Sequence, residues 1–255
     1  MKTIIKAKEI NLDNSSLVGN KAANLAELSK NGLETADFFV VSNYAFKRFL
    51  DKKALTLDLQ KDIWHHLINF QGTTMAVRSS ANVEDSKDCS FAGQFHSYLS
   101  VPNREVYQAV EDCFNSVFSD QVNLYCQYQK IDPADIRMAV IVQKMIKADK
   151  AGVIFTKDVF NDDKDKVIIE VVKGIAEKLV DGSTNSEKFI FSKKRKKFQN
   201  YKKGKNQLDS ILTLEEAERL AEMSLQVEDL FGGVQDIEWA MEDDQIYILQ
   251  TRPIT

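Results

Sequence analysis

The sequence predicts a mixed α+β protein, and three observations support this fold class. Apolar residues recur at helical spacing in some segments and form short extended runs in others. These helical and extended segments interleave without the regular β-α-β spacing of a parallel sheet. The chain has 255 residues, of which 44% are hydrophobic and 28% charged, so it is long enough and apolar enough to bury a sizeable core.

The first half of the chain predicts helices separated by two strands. Ala22, Leu25 and Leu28 recur at helical spacing, and Gly32 stands where a left-handed residue would end that helix. Apolar runs without helical spacing predict the strands. In order, we predict a helix from residue 18, a strand at 38–41, helices within 44–70, a strand at 75–78, a polar loop at 79–94 and helices within 103–129.

The second half predicts mostly strands. Three apolar runs, a hairpin around residues 192–196 and a C-terminal hairpin surround one helix. Thr213 and Glu216 have the spacing of a capping box, which opens that helix, and Gly232 and Gly233 end it. The predicted strands cover residues 138–142, 152–155, 167–172, 189–191, 197–199, 236–241 and 246–251.

Composition excludes several classes of protein. Lys plus Arg is 34 and Asp plus Glu is 38, so the net charge of −4 argues against nucleic acid as a partner. No apolar run reaches the ~18 residues that a membrane-spanning helix needs. Cys89, Cys113 and Cys126 are odd in number and far apart, which favours reduced thiols over a disulfide framework or a zinc site. We therefore expect a cytoplasmic protein that does not bind membranes.

Two basic residues are candidates for binding an anion. Lys21 stands in the first turn of its predicted helix, where an anion would be favoured, although a solvated surface lysine is the simpler interpretation. Arg78 ends a predicted strand before small polar residues, so its guanidinium could bind phosphate bidentately. The alternative is an edge charge paired with Glu84 or Asp85.

The C-terminal hairpin is a candidate metal site. Asp236 and Glu238 lie two residues apart on one strand, and Gln250 and Arg252 do so on the next, so each pair shares a face. Carboxylate and amide oxygens suit Mg²⁺, and the arginine suits an anion. The alternative is a surface cluster that neutralises itself.

The register of this hairpin decides between these interpretations. A plain two-residue turn would place Glu238 opposite Leu249, so that Glu238 and Gln250 would point to opposite faces. We predict instead a three-residue connection, or an equivalent with a β-bulge. Glu238 would then oppose Gln250 and Asp236 would oppose Arg252, with Trp239 and Leu249 on the core face.

Six segments together resemble the N-terminal ATP-binding domain of the phosphoenolpyruvate synthase, pyruvate phosphate dikinase and rifampin phosphotransferase family. They occur in family order and are spread over nearly the whole chain, from residue 18 to residue 255. The segments are VGNKAANLAEL (18–28), AVRSSANVEDS (76–86) with SFAGQFHSYLSV (90–101), VQKMIKADKAGVIFT (142–156), KGIAEKLVDG (173–182) and QDIEWAMEDDQIYILQTRPIT (235–255).

The resemblance implies a single ATP-grasp-like domain over residues 1–255. Its two lobes would cover approximately residues 1–140 and 141–255, with the nucleotide held between them. The implied cofactors are ATP and Mg²⁺.

The resemblance also implies roles for individual residues. Lys21, Arg78 and Arg252 would bind the ATP phosphates and act in catalysis, and Glu238 and Gln250 would hold Mg²⁺ with support from Asp236. The remaining implied nucleotide contacts are Gln143, Lys144, Met145 and Ile146 beside the adenine, and Glu177 at the ribose or adenine.

Two departures from the family pattern stand out. The family often has Gly-Leu-Gly-Glu where residues 174–177 read Gly-Ile-Ala-Glu, and Asn20 replaces the second glycine of the common Gly-Gly-Lys. The segment of the family's phosphohistidine domain does not occur in this sequence, so we expect the histidine carrier on a separate domain or protein.

The implied activity is a dikinase-type transfer in which ATP is cut to AMP through that histidine, as in phosphoenolpyruvate synthase. Two alternatives stay open: the ATP-binding part of a rifampin-phosphotransferase-like small-molecule kinase, and a non-catalytic nucleotide-sensing module.

Overall fold

The computed structural model describes residues 2–84, 95–176, 186–202 and 210–254, and it describes no side chains for residues 200–202. Within these ranges the chain forms two compact units. The first unit contains residues 1–30 and 36–145, and the second contains residues 31–35 and 146–255.

The first unit is built on a five-stranded antiparallel sheet with the strand order β1-β2-β5-β3-β4. The central strand β5 is almost wholly buried, because β2 and β3 flank it and helices cover the sheet. The five strands are β1 (Ile4–Lys6), β2 (Phe38–Val41), β3 (Thr74–Ala81), β4 (Ser97–Pro102) and β5 (Met138–Lys144).

Six described α-helices accompany this sheet. The aromatic rings of Phe46, Phe49 and Phe114 meet in the core on one sheet face, with ring centroids 5.2 and 5.3 Å from Phe114 to the other two. The opposite face receives the start of the second helix. The helices are α1 (Ser15–Val18), α2 (Asn20–Lys30), α3 (Asn43–Lys52), α4 (Leu57–Leu67), α5 (Val106–Asn115) and α6 (Asp120–Gln129).

The second unit is built on a six-stranded antiparallel sheet with the strand order β11-β10-β6-β7-β8-β9. Strands β10 and β11 form the C-terminal hairpin at one edge, and β8 and β9 form a hairpin at the other. The six strands are β6 (Lys150–Phe155), β7 (Lys166–Lys173), β8 (Glu187–Ser192), β9 (Lys197–Lys202), β10 (Gln235–Glu242) and β11 (Gln245–Pro253).

One long helix, α7 (Leu214–Phe231), packs against the second sheet. The predicted capping box is present: the Thr213 hydroxyl accepts from the Glu216 N–H, and the Glu216 carboxylate accepts from the Thr213 N–H. Gly232 ends the helix in the left-handed conformation, with φ 66°. Both ends of α7 are therefore set by local sequence.

The α+β class is confirmed, since each unit contains an antiparallel sheet together with one or more helices. The division between the units differs in detail from the expected lobes. The first unit runs on to Met145, because residue 140 lies inside β5, the central strand of its sheet. Residues 31–35 join the second unit, where the Ile248 N–H donates to the Glu34 carbonyl at 2.9 Å.

Among the described helices, none is both long enough and apolar enough to cross a membrane.

Candidate functional site

The N-terminus of α2 lies directly against the end of β3. Gly19, with φ 79°, approaches so closely that a Cβ atom there would lie 2.0 Å from the Ser80 carbonyl oxygen. The Ala22 N–H donates to the Ser80 hydroxyl at 3.2 Å, and the Asn20 side chain donates to the Glu84 carbonyl at 2.8 Å. These contacts fix the first turn of α2, which carries Lys21, on the strand end.

Lys21 forms an ion pair with Glu84, with a distance of 2.7 Å between Nζ and Oε1. The two side chains are only 12% and 2% exposed, so Lys21 is not the solvated surface lysine of the simpler interpretation. Glu84 also accepts from the Ser79 hydroxyl at 3.1 Å and from the Ala81 N–H at 2.6 Å.

Arg78 lies in β3 and is half-buried. Its neighbours Met75 and Val77 belong to the helix-covered core, and alternation along the strand therefore turns Arg78 to the opposite face together with Ser80. That is the face on which α2 begins. Of the two alternative partners of Arg78, the Glu84 carboxylate accepts a hydrogen bond from Lys21, and Asp85 lies outside the described residues. Both predicted phosphate-binding residues belong to the α2–β3 region of the first unit, but the Ser79 hydroxyl, which binds the Glu84 partner of Lys21, alternates to the other face of β3 from Arg78.

The register of the C-terminal hairpin matches the predicted pairing. Glu238 pairs with Gln250 and Asp236 pairs with Arg252, so all four side chains lie on one face. The connection between the two strands differs from the predicted three-residue connection. Asp243 and Asp244 form a two-residue turn in which both residues have positive φ.

A β-bulge restores the register of this hairpin. Trp239 pairs with Ile248, whereas Glu238 pairs with Gln250, so Leu249 is the extra residue. Trp239 is fully buried on the core face, as predicted. Leu249 is half-buried in the bulge, and its predicted place on the core face is corrected accordingly.

Asp236 and Arg252 form an ion pair on the shared face. Arg252 Nε and Nη2 lie 2.9 and 2.8 Å from the same carboxylate oxygen, Asp236 Oδ2. Burial raises the pKa of the Asp236 carboxyl, the Arg252 guanidinium lowers it and the neighbouring Glu238 charge raises it, so that the net direction is upward. The Asp236 side chain is 14% exposed and the Arg252 side chain 32%.

Residues 143–146, expected beside the adenine, lie where the chain leaves the first unit. Gln143 is 1% exposed, and its Nε2 has no hydrogen-bond partner in the described part of the chain. The N–H groups of Lys144 and Met145 donate to the carbonyls of Asp37 and Thr74, at 2.8 and 2.9 Å. Ile146 is buried. The expected ribose contact, Glu177, lies outside the described residues.

The sequence matches a known protein family over most of its length. Residues 55–211 and 198–255 match the sequence model of the pyruvate phosphate dikinase AMP/ATP-binding domain. This chain belongs to that family. The resemblance of the motifs is thereby confirmed.

Relatives of the dikinase family match nearly the whole chain. A probable phosphoenolpyruvate synthase of Archaeoglobus fulgidus is 30% identical over 97% of this chain and 41% of its own length. A rifampicin phosphotransferase of Bacillus cereus is 28% identical over 99% of this chain and 36% of its own length. The chain thus spans well under half of these relatives.

A solved structure is also similar. The D-alanine–D-alanine ligase of Helicobacter pylori is 14% identical, with a TM-score of 0.48, and the match covers 92% of this chain and 54% of the ligase.

The sheet of the second unit extends the hairpin face of this dikinase-family chain. One row of paired residues crosses it in the order Gln250, Glu238, Val153, Glu170 and Lys188. Glu170 and Lys188 form an ion pair of 3.0 Å in this row. Sequence reasoning missed this pair, because the order of strands in a sheet is not visible in strand periodicity.

Sequence reasoning also missed the role of Glu84 as the partner of Lys21. The two residues are 63 positions apart, and no local pattern links them. The signal that could have indicated it is that both residues lie within family segments that contain phosphate-binding candidates.

The oxygen donors on the hairpin face suit Mg²⁺ only if waters and nucleotide phosphates complete its coordination. Among the described residues, no group of three or more His, Cys, Asp or Glu side chains could hold a metal ion. The hairpin offers one carboxylate opposite one amide, with a second carboxylate two residues away. Mg²⁺ is commonly bound by one or two carboxylates together with waters and substrate phosphates, so this set fits a metal shared with a nucleotide.

Proposed function

We propose that the chain binds Mg·ATP and donates phosphate in a dikinase-type transfer from ATP, leaving AMP. The single observation that carries the proposal is the bulged hairpin register, which gathers Asp236, Glu238, Gln250 and Arg252 on one face. Family membership supports the nucleotide. The name of the Archaeoglobus relative supports a phosphoenolpyruvate-synthase type of reaction.

Glu238 and Gln250 are the proposed Mg²⁺ ligands, and Asp236 supports them. When bound there, the metal would neutralise phosphate charge and orient the phosphate chain. Asp236 holds Arg252 by two nitrogens, so the guanidinium is positioned before a nucleotide arrives. This guanidinium would bind a phosphate oxygen with a charge-assisted hydrogen bond.

Lys21 and Arg78 are the proposed phosphate contacts of the first unit. Both residues belong to regular secondary structure rather than to loops, so little conformational entropy would be lost when they bind phosphate. Lys21 and Arg78 would stabilise charge on the transferring group, which is how proteins accelerate phosphoryl transfer.

Residues 143–146 are proposed to border the adenine, and Glu177 to contact the ribose or adenine. The Nε2 of the buried Gln143, which has no hydrogen-bond partner among the described residues, supports this proposal, because a buried donor without a partner is costly unless a ligand satisfies it. The main-chain N–H groups of Lys144 and Met145 are occupied, so any contact from them would come from carbonyls or side chains.

The phosphoryl carrier is proposed to be a histidine on another domain or protein. A small-molecule kinase of the rifampicin phosphotransferase type is a second candidate, favoured by the Bacillus cereus relative. Formation of AMP upon addition of a phosphohistidine-domain protein would distinguish phosphotransfer from simple nucleotide sensing.

Calorimetric titration of Mg·ATP into Arg78→Ala and Arg252→Ala tests the site. Loss of one charge-assisted phosphate bond should cost about 1.5–3 kcal/mol, or roughly 10–150-fold in affinity. Arg48→Ala and Arg219→Ala are matched controls, because these arginines pair with the exposed Asp58 and Asp244. Unchanged ATP affinity in both site variants would refute the assignment.

A further inference from the structure

The Lys21–Glu84 pair is built so that the protein orients the carboxylate and the carboxylate orients the lysine. We propose that Glu84 is a positioning residue that holds the Lys21 ammonium in place for the nucleotide phosphates. This inference rests on the proposed function, because it concerns the phosphate-binding role of Lys21.

The position of the Glu84 carboxylate is set by the strand it follows. Oε2 accepts from the Ala81 N–H at 2.6 Å, and Oε1 accepts from the Ser79 hydroxyl at 3.1 Å. Both donors belong to β3, and the Glu84 carbonyl is in turn bound by the Asn20 side chain at 2.8 Å. The carboxylate therefore has a fixed place whether or not Lys21 is bound to it.

Another lysine–glutamate pair in the chain has a different construction. Lys193 Nζ lies 2.8 and 2.5 Å from the two carboxylate oxygens of Glu228, so the lysine itself occupies both oxygens. The side chains are 18% and 22% exposed, compared with 2% for Glu84. The greater burial of Glu84 and its two β3 donors are features that an ordinary stabilising pair does not need.

Lys21 retains the capacity to bind a second group. An ammonium carries three N–H donors, and in the described part of the chain one of them is bonded, to Glu84. The side chain is 12% exposed, so a small part of it remains accessible. Loss of Glu84 would leave a nearly buried charge without compensation, and the flexible lysine would adopt other rotamers.

The test is a double-mutant cycle measured by ATP affinity in the full chain. Glu84→Gln preserves the shape of the side chain but removes the charge that holds Lys21. We expect it to weaken ATP binding about tenfold, and to have no further effect when combined with Lys21→Met. Affinity for adenosine, which has no phosphates, should stay within about twofold of the wild-type value.

Two controls separate positioning from a general loss of structure. Glu228→Gln removes the other pair and should leave ATP affinity unchanged. Ser79→Ala removes one donor to Glu84 while keeping the ion pair, and it should weaken ATP binding less than Glu84→Gln does. It replaces Glu84→Gln as the test if that variant does not fold.

The inference is overturned if Glu84→Gln binds ATP like the wild type, if its effect persists in the Lys21→Met background, or if adenosine affinity falls equally. Absence of ATP binding by the wild-type chain would overturn the proposed function itself, and the two failures are thereby distinguishable.

Discussion

Gly19 determines how closely α2 approaches β3. Its φ of 79° and ψ of 162° lie in a region that glycine alone occupies without strain. A Cβ atom would meet the Ser80 carbonyl oxygen at 2.0 Å and the Ser80 hydroxyl at 2.3 Å. The hydrogen bond from the Ala22 N–H to Ser80, and with it the place of Lys21, depends on this close contact.

We expect Gly19→Ala to lower the free energy of unfolding by about 3 kcal/mol or more, because backbone strain of roughly 1–3 kcal/mol adds to the overlap with Ser80. Gly72→Ala is the matched control in the same unit. Gly72 has φ 77°, but a Cβ atom there would meet nothing within 4 Å, so its loss should be about 1 kcal/mol. Urea denaturation measures both, and equal losses would contradict the role of the close contact.

At the scale of elements, the C-terminal hairpin shows what periodicity can and cannot predict. The two-residue spacing of Asp236 with Glu238, and of Gln250 with Arg252, was sufficient to predict a shared face. The preferred three-residue connection was wrong, since Asp243 and Asp244 close a two-residue turn. The sequence around an apolar bulge residue such as Leu249 does not indicate a bulge. Its position is visible only in the pairing of the two strands.

Helix α7 depends on one carboxylate at its N-terminus. Glu216 accepts from the Thr213 N–H and also pairs with Lys150 of β6, which joins the helix to the sheet. Burial raises the pKa of Glu216, but the bonds from Lys150 and Thr213 outweigh it, and the net pKa is lowered. A lowered pKa means that the contribution to stability is present above the unfolded pKa of about 4.3 and is lost as the pH falls through the lower, folded value.

We expect Glu216→Gln to lower the free energy of unfolding by about 1–2 kcal/mol at pH 7, because the amide can still cap the helix but leaves Lys150 unpaired. The difference from wild type should shrink as the pH falls below the unfolded pKa of about 4.3 and then through the lower, folded pKa, because the wild-type carboxyl also loses its charge there. Glu215→Gln, one residue earlier and exposed, is the control and should change stability little. A pH-independent difference in denaturation midpoints would contradict the ion-pair explanation.

At the scale of the whole molecule, the fold class and most elements follow from the sequence because each depends on local spacing and caps. Long-range pairings do not. Residues 31–35 join the second unit through a bridge between Thr35 and Ile248 and the bond from Ile248 to Glu34, which no local pattern indicates. The candidate residues were found from motifs, whereas the contact of Lys21 with Glu84 required the folded chain.

The proposed function predicts that Mg·ATP stabilises the protein. A ligand that binds only the folded state adds about 2.7 kcal/mol at a concentration 100 times its dissociation constant. For a chain of this size, that corresponds to a rise in melting temperature of roughly 5–10 °C. Without a divalent cation the rise should be much smaller, because the carboxylates of Asp236 and Glu238 then face the nucleotide phosphates with less compensating charge. Thermal unfolding with ATP, in the presence of Mg²⁺ or of a chelator, measures both effects.

Arg252→Ala should reduce the shift in melting temperature and Arg219→Ala should not, since only Arg252 lies on the hairpin face. A wild-type chain that melts at the same temperature with and without Mg·ATP would refute the proposed nucleotide site.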